Sequence, residues 1–168
     1  QLDDCKPGMR TALNIPDIEI LKGKSKEGIR RGDTITIADL GTPSRRVHVE
    51  VHVSERATKI QTIKHAQRVR FHHFSTTISG KILFFENTNL EKGNKQIAEI
   101  RLDRPVFTFA GDRFVLRDWS KQFTIGGGII LDSSPPKRSY RTEKQRNFLL
   151  TRASNSNDFT THLNSLLT

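Results

Sequence analysis

The chain has 168 residues and carries 28 Lys plus Arg against 18 Asp plus Glu, which gives a net charge of +10. This length is typical of one domain or two small ones and is enough to bury a core, although only 34% of the residues are hydrophobic. Since no apolar run reaches the ~18 residues of a membrane span and no signal peptide opens the chain, we expect a cytoplasmic protein without a membrane partner.

The first predicted elements lie near the N-terminus. Residues 11–15 and 34–37 are predicted to be short strands, and residues 34–37 (TITI) alternate polar and apolar side chains. The charged and irregular residues 16–32 between them are predicted to be a loop. We interpret this part of the chain as the end of a preceding β domain.

The next segments carry stronger strand patterns. Residues 46–54 (RVHVEVHVS) place Val side chains on one side and His and Glu side chains on the other, which is typical of a half-buried strand. Residues 66–74 and 81–85 are predicted to be two further strands, and the turn-prone residues 75–80 are predicted to separate them.

Alternation continues toward the C-terminal half. Residues 98–103 alternate apolar and charged side chains and are predicted to be a strand. Residues 106–109 and 114–116 flank a Gly-containing connection at 110–112, of the kind that joins hairpin strands. The last predicted strand, at 129–131, follows three consecutive glycines.

These short strands, rich in β-branched residues and Phe, predict an antiparallel barrel or sandwich from about residue 40 to 134. The composition changes after residue 132, where the letters SSPPK predict a linker because paired prolines disrupt helices and strands alike. Residues 142–152, with Thr142 as the cap, and residues 157–167 are predicted to be helices.

The cysteine and histidine content argues against metal binding and catalysis in this chain. Cys5 is the only cysteine, which allows no internal disulfide and no thiolate metal cluster. His48 and His52 lie about 13 Å apart on one predicted strand, too far to share a metal ion, while His72 and His73 point to opposite faces. We therefore expect no metal site and no catalytic residue here.

A short motif resembles part of a nucleotide-binding loop. Gly23, Lys24 and Ser25 spell the end of such a loop, but the motif requires another Gly at the position of Ile18 and a preceding strand. We therefore expect no nucleotide or other cofactor site in this segment.

The positive charge is concentrated in the middle and at the end of the chain. Residues 1–40 hold seven basic and seven acidic residues, residues 41–136 hold 15 and 9, and residues 137–168 hold six and two. Such an excess attracts polyanions, and no basic segment carries the apolar stripe of a membrane-surface helix. Nucleic acid is the expected partner, and a basic surface kept for solubility is the alternative.

Basic side chains alternate outward along the predicted strands or lie near strand ends, with aromatic residues between them. Guanidinium groups bind phosphates bidentately, and aromatic rings stack on bases or riboses, so we expect part of this set to contact RNA. In the alternative interpretation each Phe is a core residue and each Arg is merely solvated. The set comprises Arg45, Arg46, Arg68, Arg70, Arg113, Arg117 and Lys121, with Phe71, Phe74, Trp119 and Phe123 interleaved.

Residues 112–132 (DRFVLRDWSKQFTIGGGIILD) resemble the last barrel of translation factors of the elongation factor Tu type, and most closely that of bacterial selenocysteine-specific elongation factors. Residues 7–14 (PGMRTALN) and 29–33 (IRRGD) resemble the end of the second domain of these factors and its exit into the third. The similarity covers about residues 7–137. It is carried mainly by Gly111, Asp112, Arg113, Phe114, Leu116, Arg117, Ser120, Thr124, Gly126, Gly127, Gly128, Leu131 and Asp132.

The resemblance implies a mainly β chain with an antiparallel β-barrel, the end of a preceding β-barrel domain and a short helical C-terminal segment. Residues 1–38 would be the C-terminal part of domain II, and residues 39–134 the barrel of domain III. Residues 135–168 would be a linker and the start of a winged-helix region. Because Gln1 rather than Met opens the chain, we expect it to be a segment of a longer protein.

The resemblance also implies a function. The full-length protein would be a GTPase that delivers selenocysteinyl-tRNA to the ribosome at recoded UGA codons. GTP and Mg²⁺ would be held by a GTPase domain outside this chain, which itself would have no cofactor and no enzymatic activity. The implied partners are selenocysteinyl-tRNA, the ribosome, the protein's own GTPase domain and, through the winged-helix region, an mRNA hairpin.

In this family the third barrel grips the backbone of the tRNA acceptor and T stems, and residues 117–122 are the expected contact loop. Arg10 matches an arginine that the family associates with the aminoacyl pocket. An interdomain module of another translational GTPase, which transmits the nucleotide state rather than binding RNA strongly, is the alternative function. The expected tRNA-binding residues are Arg45, Arg68, Arg70, Arg113, Arg117 and Lys121.

Overall fold

The structure is a computed structural model that contains eight strands and one helix in the residues that it describes. The strands occupy most of the middle of the chain, and the helix follows them near the C-terminus. The described residues are 6, 9, 11–12, 28–29, 31–55, 62–120, 123–136 and 142–154. The elements are β1 (Ser44–His52), β2 (Thr62–Ile63), β3 (Arg68–His73), β4 (Thr76–Phe84), β5 (Leu90–Glu91), β6 (Lys95–Val106), β7 (Arg113–Arg117), β8 (Thr124–Asp132) and α1 (Glu143–Ser154).

Six of the strands close into a barrel in the order β1, β6, β4, β3, β7, β8, and β8 pairs with β1 to complete it. Every pairing is antiparallel. The remaining strands, β2 and β5, form a short separate ribbon. The expected mainly β fold is therefore confirmed, and it is a barrel rather than a sandwich.

The core lies inside the barrel because alternate residues of each strand point inward. In β1 the inward positions are Val47, Val49 and Val51, all fully buried. Phe71 of β3 and Phe114 of the neighbouring β7 stack inside the barrel with ring centroids 5.2 Å apart. The same alternation turns the polar residues of these strands to the outer surface.

The strand predicted at residues 34–37 is wrong. These residues form no ladder, and the side chains of Ile35 and Ile37 are 58% and 74% exposed. Their alternation satisfies the strand period, but a strand also needs a partner, and no described strand pairs with them. Thr11 and Ala12 carry no strand either, and residues 13–15 lie outside the described residues.

The turn predicted at residues 75–80 is also wrong, because β4 already begins at Thr76. His73 pairs with Thr76, so the turn consists of Phe74 and Ser75 alone, with Phe74 at a φ of 46°. Gly80 lies inside the strand, where a Cβ would approach the Arg101 carbonyl oxygen to 2.6 Å. This glycine permits close packing of two strands rather than a turn.

The hairpin predicted around residues 110–112 is wrong as well. β7 pairs with β3 and β8, not with β6, so residues 107–112 cross from one side of the barrel to the other. Asp112 organises this crossover: its Oδ2 accepts a hydrogen bond from the Phe109 amide at 2.8 Å and lies 2.9 Å from His73 Nε2. A connection of this length is compatible with a hairpin, but β7 pairs with β3 and β8, so the connection is a crossover.

The three glycines of β8 are required by the barrel itself. A Cβ at Gly127 would lie 2.7 Å from the Phe114 carbonyl oxygen, and one at Gly126 would lie 2.8 Å from the His52 carbonyl oxygen. A Cβ at Gly128 would collide with the Glu50 carbonyl oxygen. The strand can therefore pass this closely between its two neighbours only without side chains.

The predicted helix at residues 142–152 is confirmed as α1, and Thr142 Oγ1 accepts a hydrogen bond from the Gln145 amide at 3.3 Å. The helix packs on the outside of the barrel, where Leu149 is buried and Arg152 donates to the Leu131 carbonyl oxygen. The second predicted helix, at 157–167, lies outside the described residues. Within the described ranges, no helix has both the length and the apolar character needed to cross a membrane.

Candidate nucleic-acid interface

A row of basic side chains crosses the outer surface of four neighbouring strands. Arg46 of β1 is paired with Arg101 of β6, Arg101 with Lys81 of β4, and Lys81 with Arg68 of β3. Directly opposed residues on one face have Cβ atoms about 4.5–5.5 Å apart, so like charges in these positions repel each other. Three successive like-charge pairs therefore lie side by side on the barrel.

A second group of cations continues the row onto β7. Arg70 and Arg117 are paired across β3 and β7, and Arg70 donates to Ser79 Oγ at 2.7 Å. The Trp119 ring lies against β3, with its centroid 4.9 Å from the guanidinium carbon of Arg68 and 4.6 Å from that of Arg70. The surface called here the basic face consists of Arg46, Arg101, Lys81, Arg68, Arg70, Arg117 and Trp119.

The basic face keeps an excess of positive charge. Arg68 forms a bidentate ion pair with Asp103, whose side chain is 51% exposed, and Arg101 pairs with Glu99. In the part of the chain that the structure describes, no carboxylate forms an ion pair with Lys81, Arg70 or Arg117. Three cations of this face, Lys81, Arg70 and Arg117, thus have no carboxylate partner among the described residues.

Two donors of the basic face are also left without partners. The Nε atoms of Arg70 and Arg117 are buried and have no hydrogen-bond acceptor among the described residues. An unsatisfied buried donor costs free energy, commonly about 1–3 kcal/mol. These two unsatisfied donors, like the opposed cations, therefore work against the stability of the fold.

Trp119 is held in position by the turn that follows β7. Asp118 Oδ1 accepts from the Phe123 amide at 2.7 Å, Asp118 Oδ2 accepts from the Ser120 amide at 3.1 Å, and the Asp118 amide donates to the Phe123 carbonyl oxygen at 3.0 Å. These bonds join the end of β7 to the start of β8, and the Trp119 ring next to Asp118 meets the two arginines of β3. Half of the Trp119 surface stays exposed.

The structure brings together three of the expected tRNA-binding residues: Arg68, Arg70 and Arg117. Arg45 is exposed at a bulge in β1 next to Arg46, at the far end of the row. Arg113 faces outward four residues before Arg117, about 13 Å along the strand, and lies apart from the basic face. Lys121 and Arg10 lie outside the described residues.

Two members of the basic face, Lys81 and Arg101, were absent from the sequence-based set. Both lie in predicted strands, and the alternation of residues 98–103 indicated that Arg101 points outward. What made them neighbours of Arg68 and Arg46 is the register of strands far apart in the chain. The interleaved aromatics divide as well: Phe71 belongs to the core, whereas Phe74 is 83% exposed.

A different polar group lies between α1 and the barrel, and we call it the polar seam: His48, Glu99, Asp132, Gln145 and Arg152. His48 and Glu99 are fully buried, and the Nε2 of His48 lies 3.5 Å from Oε2 of Glu99, an ion-pair distance rather than a short hydrogen bond. The side-chain nitrogen Nε2 of Gln145 lies 3.3 Å from His48 Nδ1 and donates to Asp132 Oδ2 at 3.1 Å. The seam therefore ties α1 to β1 and β8.

The electrostatics of the seam follow from burial and pairing. Burial by itself would raise the pKa of Glu99, but the neighbouring His48 and Arg101 outweigh it and hold the pKa below its ordinary value. Burial lowers the pKa of Arg152, and Asp132 opposes this shift. Glu99 is thus an ionised carboxylate inside the protein, and it keeps its charge because the His48 ring and the Arg101 guanidinium stabilise it.

The chain is similar in sequence to three selenocysteine-specific elongation factors. That of Haemophilus influenzae is 29% identical over 143 residues, covering 84% of this chain and 21% of the relative. The protein of Desulfomicrobium baculatum is 29% identical over 127 residues (76% and 19%), and that of Escherichia coli is 30% identical over 152 residues (90% and 22%). The chain spans about a fifth of the length of these relatives.

The match to a protein family falls on the barrel. Residues 46–137 match the β-barrel domain of selenocysteine-specific elongation factors. All seven residues of the basic face lie in this range, and so do residues 112–132, which resemble the last barrel of translation factors. The family match, the relatives and the closed antiparallel barrel agree, and the chain belongs to the family of selenocysteine-specific elongation factor β-barrel domains.

Proposed function

We propose that this chain is the tRNA-binding barrel of a selenocysteine-specific elongation factor that delivers selenocysteinyl-tRNA to the ribosome, dependent on GTP, at recoded UGA codons. The observation that carries the proposal is the run of directly opposed cations on the basic face. Such pairs oppose folding, and a bound polyanion repays their cost by placing phosphates between them.

The shape of the basic face suits an RNA backbone. Its row crosses four strands spaced about 4.8 Å apart, so the cations extend over roughly 14 Å of a rigid surface. A-form RNA is recognised mainly through its shape, its phosphates and its 2′-hydroxyls rather than through base edges. Arginine forks on a rigid barrel supply the donors that phosphate contacts require.

We also propose the domain assignment that the resemblance implies. Residues 1–38 end domain II, residues 39–134 form domain III, and residues 135–168 begin a winged-helix region that reaches an mRNA hairpin. GTP and Mg²⁺ belong to a GTPase domain outside these 168 residues, since Ile18 occupies a position that a phosphate-binding loop reserves for Gly. In this assignment Arg10 contributes to the aminoacyl pocket, and the ribosome is a further partner.

Filter binding of selenocysteine tRNA over a salt series tests the proposal. We expect affinity to fall steeply with salt, and Arg117→Ala to weaken binding and reduce the slope of log K against log salt by about 1. Lys95→Ala is the matched control, since Lys95 is exposed and pairs with Glu50 away from the basic face. Absent binding, salt-independent binding or an equal effect of the control would contradict the proposal.

A second candidate function, contact with another domain, is favoured by Phe74. This side chain is 83% exposed and stands on a two-residue turn with a φ of 46°, a conformation that costs a non-glycine residue free energy. An interdomain module would use such an exposed ring as a protein contact. Phe74→Ser would then abolish binding to the GTPase domain supplied in trans and leave tRNA affinity unchanged.

A further inference from the structure

We propose that Trp119 is a positioning residue of the basic face, which holds the guanidinium groups of Arg68 and Arg70 ready for phosphate. This inference rests on the proposed function, and it adds a residue that does not itself bind phosphate but orients two that do. It differs from direct stacking of the indole on a nucleotide base, which an exposed aromatic side chain among arginines would otherwise suggest.

The geometry supports positioning. The guanidinium carbons of Arg68 and Arg70 lie 4.9 and 4.6 Å from the Trp119 ring centroid, within the range of cation–π contacts. A guanidinium that stacks by its flat side keeps its edge N–H donors available for hydrogen bonds. One ring therefore orients two neighbouring arginines while leaving donors for a ligand.

Each arginine is also held by a second contact. Arg68 is paired with Asp103, and Arg70 donates to Ser79. The ring is itself fixed, because Asp118 hydrogen-bonds both sides of the turn that carries it. Both arginines are thus ordered before any ligand arrives.

Ordering the arginines in advance is what raises affinity. A long cationic side chain that is mobile before binding loses conformational freedom when it meets a phosphate, and a side chain that is already ordered loses less. The ring also lies between repelling cations and offers each of them a favourable contact. We therefore expect removal of the ring to weaken binding without changing the number of phosphates that the face neutralises.

The test uses the 168-residue chain, a selenocysteine tRNA transcript and four variants: Trp119→Leu, Trp119→Phe, the double variant Arg68→Ala with Arg70→Ala, and the triple combination with Trp119→Leu. We expect Trp119→Leu to lower affinity roughly tenfold with an unchanged salt slope. Trp119→Phe should retain most of the affinity because it keeps an aromatic face. Leu150→Ala on α1, also an exposed apolar residue, is the matched control.

The double and triple variants separate positioning from direct contact. If Trp119 acts through the two arginines, Trp119→Leu has no further effect once they are absent. An unchanged affinity in Trp119→Leu, or the same tenfold loss in the arginine-free background, would overturn the inference. Thermal unfolding of each variant shows whether it is folded. If Trp119→Leu does not fold, Trp119→Phe provides a second comparison.

Failure of the proposed function gives a different result. In that case the unaltered chain does not bind the transcript in a salt-dependent manner, whatever stands at position 119. Because Trp119 is the only tryptophan, its fluorescence also reports directly on the site. A change in emission on adding tRNA, absent in the double arginine variant, is the expected result, and an identical change in that variant would contradict positioning.

Discussion

The basic face and the polar seam both place charged side chains on the outside of the same barrel, yet they treat charge in opposite ways. In the seam Glu99 is fully buried and surrounded by His48 and Arg101. On the basic face Lys81 lies between Arg68 and Arg101, with like charge on both sides. The charges of the seam hold α1 against the barrel, whereas those of the face are the ones that we propose bind RNA.

Arg101 and Glu99 show how close the two regions are. They stand two residues apart on the outer side of β6, and their side chains form an ion pair. Arg101 therefore belongs to the basic face and also compensates the buried carboxylate of the seam. If charge in the seam serves folding and charge on the face serves binding, substitutions in the two regions must affect different measurements.

The largest expected effect comes from breaking the seam. Glu99→Ala leaves His48 buried without its carboxylate and should lower the free energy of unfolding by about 3 kcal/mol. Urea denaturation measures this change. Glu86→Ala is the control, because Glu86 forms an exposed pair with Arg146, and such pairs contribute about 1 kcal/mol or less. Equal losses in the two variants would refute the distinction between seam and surface.

The second largest expected effect is a loss of stability in acid through Glu99 of the seam. The folded chain holds the pKa of Glu99 below its ordinary value of 4.5, so the contribution of this group to stability is complete above that value. It is lost as the pH falls through the lowered pKa, because the unfolded carboxyl binds a proton that it must release on folding. Glu99→Gln should have lower stability at neutral pH and a shallower decline in acid, as measured by unfolding at a series of pH values.

The smallest expected change in stability comes from the basic face. Lys81→Ala removes a cation that lies between two others, so the free energy of unfolding should stay within about 0.5 kcal/mol or rise slightly. The same variant should bind every tRNA tested more weakly by a similar factor, as loss of a phosphate contact predicts. A clear loss of stability with unchanged affinity would assign Lys81 to folding instead.

Much of the fold could be predicted from local patterns. The alternation in residues 46–54 correctly placed Val47, Val49 and Val51 in the core, and Thr142 correctly marked the start of α1. The same alternation assigned His48 to the outer side, where it is indeed found. That it is nevertheless buried depends on α1, which covers it from a position almost a hundred residues later in the chain.

The errors share one cause, which is that pairing between distant strands has no local signal. Residues 34–37 alternate like a strand but have no partner among the described residues, and residues 110–112 resemble a hairpin turn but belong to a crossover. Gly80 reads as a turn residue and in fact allows β4 to approach β6. In each case the residue types are compatible with two structures, and long-range packing selects one.

Some features of the candidate site are likewise evident from the sequence, and others depend on long-range packing. The sequence by itself determined that this chain is basic, that its cations point out of the strands, and that residues 112–132 resemble a translation-factor barrel. Only the tertiary structure decided which cations are neighbours, because closing the barrel set the register that aligns Arg46, Arg101, Lys81 and Arg68. It likewise decided that Trp119 meets Arg68 and Arg70, since a turn fixed by Asp118 carries the ring from one strand to the next.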